Sequence, residues 1–221
     1  MKKHQSLRDQ ILDTALVLAG QTSWERLRLF QVAEALGIGL DQVRQEFREK
    51  EDLIDAWFDR ADAALLQAGA DPGLGQLPLR ERLHRLLMVW LDTLADHRRV
   101  SRQMIQGRLE PGHVHMQARG LLRVSRTVQW WREAAHCKAA YLNRALEETV
   151  LTSIYLTTFG YWLNDESTTA AGTRRLLDRL LRGAEWLPTW MFSRDPASSR
   201  PLGSRSDLQP PPVHQSQPAP E

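Results

Sequence analysis

Residues 8–53 read RDQILDTALVLAGQTSWERLRLFQVAEALGIGLDQVRQEFREKEDL, and the order of apolar and turn residues within them decides the fold. Leu7, Ile11, Leu12, Ala15, Leu16 and Ala19 recur every three to four residues, the spacing of one helix face. Ser6 stands three residues before Asp9 and offers a cap for the first turn, so a first helix of about four turns is predicted. After residues 20–23 a second short helix fits Leu29 to Leu36, stopped by Gly37. A third fits Leu40 to Phe47, and a longer fourth runs from Lys50 to Ala68. Short helices joined by such tight turns suggest a helix-turn-helix.

Outward from this stretch, residues 69–78 hold three glycines and two prolines and make the most convincing internal break. Helical periodicity returns over residues 79–96, 98–108, 114–135, 141–164 and 173–190, and no strand-like alternation competes with it. From Asp195 to Glu221, seven of 27 residues are proline and none is aromatic, so this tail is expected to be disordered. The chain therefore divides into a head at 1–50, a linking helix at 51–68, a body at 79–194 and a tail at 195–221, all-α throughout.

Composition narrows the function. With 42% apolar and 25% charged residues the 221-residue chain matches a soluble globular protein. No apolar run approaches the ~20 residues of a membrane span. The first residues lead into no apolar segment with a cleavage site, so a cytoplasmic address is expected. Cys137 is the single cysteine, which excludes an internal disulfide and any multi-thiolate metal site.

The net charge of +2 is unevenly spread. Residues 1–50 carry eight basic and seven acidic side chains, whereas residues 80–140 carry twelve basic and five acidic ones. Because phosphate neutralisation supplies most non-specific nucleic-acid affinity, so balanced a head binds weakly unless its cations share one face. The basic surplus of the body reads first as solvated arginines lying along helix faces, and second as attraction for an anionic ligand or lipid surface.

Other residues invite chemistry and do not support it. His113 and His115 are two apart with only Glu110 near them in sequence, a poor metal set. His136 and Cys137 are adjacent, point different ways on a helix, and come with no nucleophile elbow, phosphate loop or zinc motif. No enzyme, metal or cofactor is expected. Trp90, Met104, Met116, Trp130 and Trp131 are candidates for lining an apolar ligand pocket, though ordinary core packing explains them as well.

Read without a gap, residues 8–53 resemble the N-terminal domain of TetR-family transcriptional regulators, over about a fifth of the chain. The resemblance is carried by Ile11-Leu12-Asp13, Ala15-Leu16, Trp24, Val32-Ala33-Glu34, the Gly37-Ile38 turn, Phe47 and Lys50-Glu51-Asp52-Leu53. It implies a three-helix head whose third helix reads DNA, and a larger helical body for ligand binding and dimerisation. At the readout positions this chain has Gly39, Leu40, Arg44 and Gln45 where the family has a Ser cap, Lys and an aromatic-His pair; Leu27 and Arg28 replace phosphate-contacting Thr. The donors left for a double-stranded operator are Arg28, Gln42, Arg44, Gln45, Arg48 and Lys50. Gln42 and Gln45 suit adenine edges, and Arg44 suits guanine or phosphate.

The resemblance also implies a homodimer built on the last two long helices, where Leu146, Val150, Ile154, Leu176 and Leu180 follow helical spacing, and a small apolar or anionic effector in the body. A weaker similarity, over residues 151–179, is to the lipid-binding accessory protein of coenzyme Q biosynthesis, which shares the superfold. That alternative implies no DNA and a membrane contact through Trp186, Leu187, Trp190, Met191 and Phe192.

Overall fold

The computed structural model describes residues 6–109, 114–137 and 141–184; within these, the side chains of 108, 109, 114–122 and 141–143 are not described. The described residues form nine α-helices and no strand: α1 Leu7–Gln21, α2 Leu29–Leu36, α3 Leu40–Glu46, α4 Glu51–Gly69, α5 Leu79–Thr93, α6 Arg98–Leu109, α7 Val114–Ala134, α8 Tyr141–Trp162 and α9 Ala171–Ala184. Helix α1 runs the four turns expected, α2 has the expected span, and α3 ends one residue before Phe47. The tail beyond 184, with Trp186 to Phe192, is outside the described residues, as are Glu110 and His113.

Each head helix starts on a polar side chain. The Ser6 hydroxyl accepts from the Asp9 N–H at 3.1 Å and opens α1. Gln31 accepts from the Arg28 N–H at 2.9 Å at the start of α2, and Gln42 accepts from the Gly39 N–H at 3.1 Å at the start of α3. The Asp52 carboxylate accepts from the N–H groups of Arg48 and Glu49 and fixes the entry to α4. The stop of α2 is equally local. Gly37 adopts φ +66°, its N–H donates to the Glu34 carbonyl, and the Ile38 N–H donates to that of Ala33. This left-handed closure suits a residue without a Cβ. The same bond pattern ends α7, where the Cys137 N–H donates to Arg132 and the left-handed residue is His136 at φ +55°.

Head and body share one continuous apolar core. Ile11, Leu16, Leu27, Val32, Val43, Phe47 and Leu53 fill the head end. The break at 69–78 separates α4 from α5 in sequence but not in space: Leu74 plugs into the core, and α4 lies along α5 and α7. The body interior is aromatic. Phe58 stacks on Trp90, whose ring meets Tyr155 and Phe159 edge-on at 5.4 Å, and Phe159 stacks on Trp162.

The carboxylate of Asp62 lies inside this apolar mass. Asp62 on α4 accepts from Trp90 Nε1 at 2.7 Å, Thr127 Oγ1 at 3.0 Å and Arg123 Nη2 at 3.0 Å, joining α4 to α5 and α7. Burial pushes its carboxyl above the ordinary aspartate value, against the pull of Arg123. At the α8–α9 corner, Asp165 plays a similar part. It accepts from the Ser167 N–H at 2.9 Å and from the Thr173 N–H and hydroxyl at 2.7 and 2.6 Å, so it caps α9 from outside. The cradle is tight: a Cβ on Gly172 would lie 2.8 Å from Tyr161 Oη and 3.1 Å from both carboxylate oxygens.

Helix α6 bridges the two ends of the molecule. Arg98 and Arg102 donate to the backbone carbonyls of Asp165 and Leu163 just past α8, Arg102 Nε at 2.9 Å. Arg99 and Gln103, each one residue further round the helix, hold the head: Arg99 donates to the Gly20 carbonyl, and Gln103 accepts from the Trp24 N–H at 2.8 Å. Trp57 Nε1 of α4 donates to Ser101 Oγ at 2.9 Å, so α4 is tied to the same helix.

Candidate nucleic-acid interface

Helices α2 and α3 present one open face because their apolar residues point inward. Val32, Ala33, Val43 and Phe47 are buried, and Arg8 closes the far side by donating to the Glu46 carbonyl and stacking 4.2 Å over the Phe47 ring. Between the start of α2 and the length of α3 lies a concavity of about 570 Å³. Leu27 and Phe47 form its floor, Phe30 and Leu40 its lip, and Arg28, Arg44, Arg48 and Lys50 line it with Asp41. Four of the head's eight basic residues thus meet one of its seven acids, and the near-neutral head carries a one-sided charge. Asp9 and Asp13 pair with Arg60 on α4 instead.

The six donors expected from the sequence divide into two groups. Arg28 folds back on its own turn and donates to the carbonyls of Glu25 at 2.6 Å and Leu27 at 3.2 Å. Lys50 lies 4.8 Å over the Trp24 ring and donates to the carbonyls of Trp24 and Glu25; burial, with Arg28 adding to it, pushes its pKa down. Gln42 has its carbonyl oxygen on the Gly39 N–H. Arg44, Gln45 and Arg48 are exposed, and their side chains meet no partner among the described residues.

Phe30 of this face was not singled out in the sequence, and Leu40 was noted there only as a departure from the family's readout residues. Phe30 and Leu40 are 50% and 52% exposed, unusual for side chains of their size. Phe30 stands off the inward stripe of α2 set by Leu29, Val32, Ala33 and Leu36, a signal that was available. Leu40 is in helical phase with Val43 and Phe47 and so reads as core; it stays outside because it begins the helix, beyond the edge of the packed region.

In the body, Trp90, Met104 and Trp131 are buried, and Trp131 Nε1 donates to the Leu83 carbonyl at 3.0 Å. Trp130 is turned outward, 44% exposed, and does not join them; the Met116 side chain is outside the described residues. His136 serves as the α7 stop described above. Beside it, burial, with Glu147 adding to it, pushes the Cys137 thiol far above its ordinary value, which disfavours the thiolate. Of the residues expected at a dimer interface, Leu146, Val150, Leu176 and Leu180 are half-buried, while Ile154 is buried within the protomer itself. Asp178, from the segment with the second resemblance, pairs with Arg80 at 3.1 Å and with Arg182.

No protein-family model matches the chain, and no curated protein does. Solved structures do. A TetR transcriptional regulator from Rhodococcus sp. RHA1 (21% identity, TM-score 0.55, 81% of this chain against 97% of that one) shares the fold. So does the TetR-family regulator PfmR from Thermus thermophilus, at 19% identity and TM-score 0.51 over 79% of this chain and 98% of that one. The TetR transcriptional regulator from Nitrosomonas europaea ATCC 19718 is much nearer: 50% identity and TM-score 0.75 over 82% of this chain. Since that match takes in 99% of the Nitrosomonas protein, head and body together, the chain belongs to the TetR family of transcriptional regulators.

Proposed function

We propose that this chain is a transcriptional repressor that binds operator DNA as a homodimer and is released by a small apolar or anionic molecule held in its helical body. The observation that carries the reading is that Arg44 on α3 and Arg48 just past it stand exposed beside a concavity that Arg28 and Lys50 also line. Each phosphate a cation neutralises releases counterions, so affinity depends on cations that face the duplex together, not on net charge. A two-fold dimer presents two such faces to half-sites about one helical turn apart.

The bonds of α6 support a switch. One edge of that helix holds the end of α8 and the other holds the head, with α4 tied on through Trp57. An effector that binds the body better in one setting of α6 than in another changes DNA affinity by that difference. A tenfold change needs ~1.4 kcal/mol of differential binding.

The test is a gel shift on DNA flanking the chain's own gene, repeated from about 50 to about 200 mM salt. A sequence-specific shift is expected at low salt, falling steeply as salt rises. Arg44→Ala with Arg48→Ala lowers the salt slope by about one for each phosphate contact removed. Absence of a specific shift at the lowest salt overturns the reading.

A further inference from the structure

We propose that Phe30 and Leu40 read the 5-methyl groups of thymine in the major groove, so that operator choice rests on methyl contacts as well as on the arginines. This inference rests on the DNA-binding reading above.

Phe30 and Leu40 are half exposed and border the same concavity, ringed by the head's clustered cations. A duplex drawn there by the cations places its groove between them, against whatever the concavity presents. What it presents is apolar, with the Asp41 carboxylate beside Leu40. Neither group suits a phosphate, whereas both have partners on base edges: a carboxylate accepts from the cytosine amino group, and an alkyl or aromatic side chain meets the thymine methyl. The methyl is the apolar group that the major-groove edges of the four bases offer.

The amides support the same division of labour. Two-pronged recognition of adenine needs both ends of a glutamine side chain, and the carbonyl of Gln42 is already held by the Gly39 N–H at 3.1 Å. That leaves Gln45 as the exposed amide of α3 without such a bond, and moves part of the discrimination to the apolar lip.

The experiment selects binding sites for the full chain from a random duplex library, then resynthesises the enriched duplex with each thymine replaced in turn by uracil, which lacks only the methyl. At one or two positions in each half-site, uracil is expected to weaken binding about fourfold, the worth of one buried methyl group. Leu40→Ala is expected to bind the thymine and uracil duplexes alike at one of those positions, and Phe30→Ala to do so at the same or a neighbouring one. Arg44→Ala weakens both duplexes together and keeps their ratio. Because both apolar side chains are exposed, the variants keep their fold, which circular dichroism checks. An enriched site indifferent to every uracil, or a Leu40→Ala protein that keeps the full uracil penalty, overturns the methyl reading and leaves DNA binding standing. A library that yields no enriched site overturns both.

Discussion

Asp165 accepts three hydrogen bonds at the α8–α9 corner, and they set its ionisation. Burial by itself raises the carboxyl, but the bonds from Ser167 and Thr173 outweigh it and hold the acid well below the usual aspartate range. The unfolded chain has an aspartate near pKa 3.9. The stabilisation is therefore complete above about pH 4 and is lost as the pH falls below it toward the native value. Asp165→Asn is expected to lower unfolding free energy by about 2–3 kcal/mol at neutral pH, because charge-assisted bonds become neutral ones and one acceptor becomes a donor. Urea unfolding of both proteins across pH should show that gap narrowing below pH 4; a constant gap would refute the assignment. Little of this was legible beforehand. Asp165 and Thr173 are eight residues apart across an irregular turn, and no periodicity pairs them, whereas Ser6 and Asp9 pair at a fixed helical spacing and were read correctly.

Among the elements, the stops of α2 and α7 form a natural comparison, since they share a bond pattern and differ in the left-handed residue. Gly37→Ala is expected to cost about 1 kcal/mol, the strain of a Cβ at positive φ, with open space around it adding nothing further. His136→Gly relieves the same strain and is expected to stabilise by up to about 1 kcal/mol. Thermal melts of the two single variants check both signs, and a stabilising Gly37→Ala would contradict the geometry. The comparison also marks where sequence reading stops. Gly37 announces a helix end by its chemistry; His136 does not, and its neighbour Cys137 drew attention to nucleophiles when the pair is a closure. Helices α2 and α3 were readable because each boundary residue has a local reason to be there. The role of Gln42 was not, because a glutamine in a first turn serves equally well as a cap or as a donor to bases.

At the scale of the whole molecule, the outward stripe of α8 is the surface that the proposed homodimer would use. Thr149, Ser153, Leu156, Thr157, Gly160 and Tyr161 lie at helical spacing and are exposed, with Leu156 at 47% and Tyr161 at 48%. Leu156→Arg with Tyr161→Arg is expected to convert a dimer into a folded monomer in sedimentation, with operator affinity falling at least tenfold. A double variant that still sediments as the wild type would locate the interface elsewhere. Periodicity singled out α8 and α9 but not which stripe faces out. Ile154 and Leu156 are two residues apart in an apolar helix, and only the packing of α8 against α7 and α9 tells them apart.

The buried carboxylate of Asp62 has a mechanical meaning as well. Sliding α4 along its axis would strand the donors of Trp90, Thr127 and Arg123 together, so the helix is held there as if by a pin. A tilt about that pin would swing the head end of α4. From Asp62 to Glu51, where α4 enters the head, the arm is 11 residues, about 17 Å of helix. Trp57, the attachment to α6, is five residues from the pivot, about 7.5 Å out. About such a pivot a tilt of about 10° would carry the start of α4 about 3 Å, roughly twice the shift at Trp57.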